Sequence, residues 1–60
     1  MEMEKIHVFA RSLLSKHGDK AELEAAQKVL ECDRHGRKEE AEDWRRIHVA
    51  IKEMRGPHVS

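Results

Sequence analysis

The stretch that most constrains the fold is Ala41 to Gly56, AEDWRRIHVAIKEMRG, because it combines a regular apolar stripe with a clear stop signal. At ~100° per residue, Ala41, Trp44, Ile47, Ala50, Ile51 and Met54 share one half of a helix, while Glu42, Arg46, Lys52 and Glu53 share the other. One face must therefore be covered and one is wet. Gly56 follows Arg55 where a left-handed residue closes a helix, and Pro57 cannot extend it. Acids crowd the first turns (Glu39, Glu40, Glu42, Asp43) and bases the last (Lys52, Arg55), as the helix macrodipole favours.

The rest of the chain supplies the cover. Met3, Ile6, Ala10 and Leu13 recur at spacings of three and four, with Phe9 and Leu14 widening the stripe, and His17-Gly18 ends that segment. Asp19-Lys20-Ala21-Glu22 has the form of a capping box and predicts the start of a second helix. In it Leu23, Ala25, Ala26, Val29, Leu30 and Cys32 cover about half the circumference, and Arg34-His35-Gly36 supplies the stop. Sparse β-branched residues and only two aromatics, Phe9 and Trp44, argue against a sheet.

The expected fold is all-α, a three-helix bundle of antiparallel neighbours with helices at about 2–16, 20–35 and 38–55, because short links between helices of similar length make successive helices pack side by side. Residues 1–56 form the single expected domain and 57–60 a frayed tail. The expected centre is Ile6, Phe9, Leu13, Leu23, Ala26, Leu30, Trp44, Ile47, Ile51 and Met54. Val8 and Val49 fall outside or beside their stripes. With Arg45 and Arg46, on the wet side next to Trp44, they make the candidate partner surface.

Chemistry finds little purchase. Five histidines invite a metal, but Cys32 and His35 give only two ligands one turn apart, where a closed zinc site takes four. A nucleophilic Cys32 would need a base and an orienting group held in a cleft, for which so small a bundle has little volume, and Ser12 and Ser15 have no glycine elbow or paired base. No catalytic residue, metal, cofactor or small-molecule substrate is expected. Twelve basic and twelve acidic side chains cancel, so no global field draws the chain to nucleic acid or an anionic membrane. No apolar run approaches membrane length, MEMEKIHVF is unlike a signal peptide, and the lone Cys32 points to a reducing compartment, so a cytoplasmic protein is expected.

A helix-turn-helix regulator is the alternative, using the third helix and the basic turn before it, with Arg34, Arg37, Lys38, Arg45, Arg46, Lys52 and Arg55 as candidates. Against it, the N-terminal half of that helix carries Glu39, Glu40, Glu42 and Asp43, which repel phosphates. What is left as a usable feature is helix surface. The expected role is a small protein-protein interaction module, an adaptor or regulator, whose ligand is a protein partner or a second copy of the chain.

Two resemblances bear on this. CDRHGRKEEAEDW, Cys32 to Trp44, resembles the turn of a tetratricopeptide hairpin, Gly36 and Ala41 matching the small pair that lets two helices pack tightly. The tryptophan, leucine-glycine and proline positions of the full motif are missing, so only the local packing logic carries over. His17-Gly18, Ala41 to Ile47 and Arg55 to His58 are similar to a group of short bacterial helical proteins with no assigned activity. That resemblance implies a bacterial, cytosolic, helical protein and transfers no functional residue.

Overall fold

A computed structural model describes residues 2–56; the tail expected at 57–60 lies outside them. Three helices follow one another: α1 (Met3–His17), α2 (Lys20–Arg34) and α3 (Lys38–Met54), with no strand among the described residues. The chain is a three-helix bundle, and the helix limits match the sequence pattern to within a residue at each end. Arg55, just past α3, reaches Asp19 and Glu22 at the start of α2, while Arg45 early in α3 reaches Asp33 near the end of α2. These contacts show α2 and α3 to be antiparallel. Helix α3 touches both others, and α1 and α2 touch each other least.

The links are set by glycine. Gly36 has φ 75°, its amide donates to the Asp33 carbonyl and the Arg37 amide donates to that of Cys32. Those two bonds satisfy carbonyls that the helix end leaves free, and side chains with a Cβ rarely adopt that φ. At the end of α1 the Gly18 amide donates to the Leu14 carbonyl with φ 59° and ψ −128°.

The capping box expected at Asp19 does not form. Asp19 is already helical (φ −60°, ψ −24°) and its side chain makes no cap hydrogen bond. Arg55 takes both carboxylates instead, Nη2 at 3.3 Å from Asp19 Oδ1 and Nη1 at 3.0 Å from Glu22 Oε1. A capping Asp needs extended backbone. With Asp19 helical its carboxylate turns outward, and the guanidinium ties the start of α2 to the end of α3.

The core is smaller in side-chain size than the stripes suggest. Its buried cluster is Ile6, Ala10, Ala21, Ala25, Ile47, Ala50 and Ile51, with Leu13, Leu14, Trp44 and Met54 packed partly against it. Ile6, Ile47 and Ile51 are central as expected, but Phe9, Leu23 and Leu30 are exposed and Ala26 is half-buried. Helix α2 has two apolar arcs, and the fold buries the small one, Ala21-Ala25-Cys32. Three isoleucines need small partners if the helix axes are to come within packing distance. Ala41, at the start of α3, is fully buried as well but lies outside that cluster.

Trp44, expected in the centre, sits at its margin. Its ring meets the Phe9 ring edge-on, centroids 5.4 Å apart and planes at 87°. That geometry suits the ring quadrupoles. The pair closes the side of the bundle between α1 and α3.

Candidate functional site

The four residues expected to form a partner surface fall into two places. Val49, Arg45 and Arg46 line a shallow groove of about 250 Å³ between α3 and the start of α1, with Met3 and His7 on its other wall. Val8 lies elsewhere, on the outer side of α1, where it lines a groove of about 600 Å³ with Lys5, Phe9 and Ser12. Val8 and Val49 are both well exposed. The helix pattern puts Val8 opposite Ile6 on α1, whereas Val49 borders α1, so the two do not meet.

The arginines are engaged within the chain. Arg45 Nη2 lies 3.1 Å from Asp33 Oδ2 across the α2–α3 turn, and Arg46 Nη2 lies 3.3 Å from Glu42 Oε2 one turn back. Arg37 Nη1 faces Glu40 at 3.6 Å, and Arg55 holds Asp19 and Glu22. Four of the seven cations that are candidates for the nucleic-acid alternative are therefore already paired with carboxylates. Each such pair is exposed and worth only ~0 to 1 kcal/mol to stability. Their effect on a phosphate ligand is larger, because every one brings a carboxylate to the same place.

Among the described residues the histidines do not converge. His17 Nδ1 is 3.3 Å from Glu24 and His48 Nε2 is 3.6 Å from Glu22, two separate contacts that form ion pairs when the rings are protonated. Among the described residues no group of three His, Cys, Asp or Glu side chains is placed to hold a metal ion. Cys32 is buried, and its thiol donates to Glu40 Oε1 at 3.8 Å. Burial, helped by the Glu40 carboxylate, raises its pKa above the ordinary thiol value. A nucleophilic cysteine needs the opposite shift. Cys32 sits with His35, Arg37, Glu40 and Trp44 around a pocket of about 140 Å³.

The apolar surface that the stripes did not reveal is on α2. Leu23 is 59% exposed and Leu30 64% exposed, seven residues apart, with half-buried Ala26 between them. Seven residues are close to two helical turns, so both leucines lie on one line, roughly opposite Ala21 and Ala25. The signal was present in the sequence as two apolar arcs on one helix. It was not separable there, because periodicity says which residues share an arc and not which of two arcs faces inward. No described helix is long and apolar enough to cross a membrane. No protein family, curated protein or solved structure matches the chain.

Proposed function

We infer that the chain is a small protein-protein interaction module, an adaptor or regulator without catalysis of its own. The observation that carries this reading is where the large apolar side chains are. Among the described residues three are fully buried, Ile6, Ile47 and Ile51, against six that are exposed, Met3, Val8, Phe9, Leu23, Leu30 and Val49. Single exposed apolar residues are ordinary. An excess outside over inside is different, since a chain of this size has little core to stabilise it and gains from covering that surface with a partner.

The α1–α3 groove with Val49, Arg45 and Arg46, and the Val8 groove on the outer side of α1, are two surfaces such a module offers. A nucleic-acid ligand fits less well, given the carboxylates that accompany Arg37, Arg45, Arg46 and Arg55. A bacterial, cytoplasmic setting accords with the similarity to short bacterial helical proteins and with the lone cysteine.

Affinity capture from the native host, with sedimentation of the purified chain over a wide concentration range, tests the reading. A stoichiometric protein partner or a concentration-dependent dimer is expected. A strict monomer that retrieves no protein overturns it, as does retention on heparin that collapses with modest salt, which signals phosphate binding.

A further inference from the structure

We propose that Gly18 is a one-residue hinge through which α1 swings out in line with α2 and exchanges with the α1 of a second copy of the chain. This deepens the interaction-module reading, on which it rests, by naming one ligand and the way it is held.

The backbone on both sides of the hinge is already helical. His17 is the last residue of α1, and the next amide, that of Gly18, still donates to the Leu14 carbonyl at 2.8 Å, the bond an uninterrupted helix makes. Asp19 has φ −60° and ψ −24°, inside the helical region. Gly18 itself, with φ 59° and ψ −128°, is the one residue between Met3 and Arg34 with a positive φ. Turning that single pair of dihedrals to helical values fuses α1 and α2. Fusion also gives the Ser15 and Lys16 carbonyls to the amides of Asp19 and Lys20, groups that a helix break leaves outside the hydrogen-bond ladder. The α2–α3 link has no such short route, because Gly36 (φ 75°) and Arg37 (φ −92°, ψ 75°) both depart from helix.

The apolar pattern runs through the hinge in phase. Counted across Gly18 without interruption, Ile6, Ala10, Leu13 and Leu14 of α1 and Ala21, Ala25 and Cys32 of α2 fall within an arc of about 120°. These are side chains that the closed chain buries or half-buries. A fused helix of about 32 residues, Met3 to Arg34, therefore carries one continuous stripe.

That stripe selects the occupant. When α1 swings out it takes Ile6 and Ala10 from the cluster they share with Ala21, Ala25, Ile47, Ala50 and Ile51. The α1 of a second copy carries the same side chains in the same order and fits the vacated place by identity. Reciprocal exchange then restores the contacts away from the hinge, Phe9 against Trp44 among them, and does so in both copies at once. Short connections under backbone strain favour exchange of this kind. Two effects oppose it: glycine is a poor helix residue, and fusion makes Lys16 and Lys20 like-charged neighbours four residues apart. The closed chain therefore prevails when dilute, and exchange grows with concentration.

The test compares the full chain with Gly18→Ala by sedimentation from micromolar to millimolar concentration. Alanine disfavours φ 59° although no atom stands near its methyl, and it favours helix, so it burdens the closed chain and not the fused one. G18A is expected to dimerise at least ~tenfold more tightly than the parent. In a dimer mixed from carbon-13-labelled and unlabelled chains, isotope-filtered nuclear Overhauser effects should join Phe9 of one chain to Trp44 of the other. A G18A chain that stays monomeric, dimerises no more tightly than the parent, or loses its helicity at every concentration overturns the hinge, because the fused form has no need of a positive φ. So does a dimer whose Phe9–Trp44 contact stays within each chain, which reports two closed copies side by side. Monomeric parent and G18A chains that still retrieve a protein from the native host sink the exchange alone and leave the interaction-module reading in place.

Discussion

Alanine decides the architecture at the scale of single residues. Ala21, Ala25 and Ala41 are fully buried, and Ala21 and Ala25 share one cluster with Ile6, Ile47 and Ile51. Ala25→Leu therefore forces extra atoms into a filled space and should cost about 1–3 kcal/mol. Leu30→Ala, on the outer face of the same helix, should stay within ~0.5 kcal/mol of the parent, the range for surface positions. Urea denaturation of the two variants measures the rotation of α2 directly, since a Leu30 that packed in the core would cost ~2–5 kcal/mol on truncation. Here lies the boundary of what the sequence discloses. That Ile6, Ile47 and Ile51 face inward is legible from their spacing, because each helix α1 and α3 has one dominant stripe. The inward arc of α2 is not legible, because hydrophobicity alone ranks Leu23 and Leu30 above Ala21 and Ala25. The choice depends on the bulk of side chains arriving from the other two helices.

At the scale of elements, the helix stops are read more reliably than the starts. Gly18 and Gly36 both occur where the sequence places a terminating glycine, and both have positive φ. A glycine at a stop is a local requirement of the backbone, so no tertiary contact can easily override it. The start of α2 is different, because the Asp19 carboxylate had two destinations, its own helix amides or the Arg55 guanidinium, and only folding brings the second within reach. The candidate partner surface fails to be legible as one unit for a related reason. Val8 and Val49 are each visible as outliers from a stripe, yet whether two outliers meet depends on how α1 lies against α3. From these assignments Gly18→Ala should cost about 1–3 kcal/mol through backbone strain alone, as no atom stands near the added methyl. Asp19→Ala should cost less than ~0.5 kcal/mol, since the lost partner is an exposed ion pair rather than a cap. Chemical denaturation followed by helix dichroism separates the two. An Asp19→Ala penalty of ~1 kcal/mol or more, the usual value of a lost cap, contradicts the helical Asp19 backbone.

Over the whole molecule the three helices are not equally held. The α2–α3 hairpin is the largest interface and is further tied at both ends, by Arg55 to Asp19 and Glu22 and by Arg45 to Asp33. Helix α1 contributes two fully buried residues, Ile6 and Ala10, and its remaining cover is partial: Leu13, Leu14, and Phe9 against Trp44. A chain this small has a total stability of only a few kcal/mol, so an element attached by two core side chains can open while the hairpin persists. Opening α1 breaks the Phe9–Trp44 contact and removes Ile6 and Ala10 from the buried cluster, enlarging the apolar surface available to a partner. Native-state hydrogen exchange should therefore give the central amides of α1 opening free energies at least ~1 kcal/mol below those of α2 and α3. Trp44 fluorescence should respond to denaturant before hairpin helicity is lost. Equal protection across all three helices, with the fluorescence and dichroism transitions superimposed, would make the bundle a single cooperative unit and leave α1 as firmly seated as the hairpin.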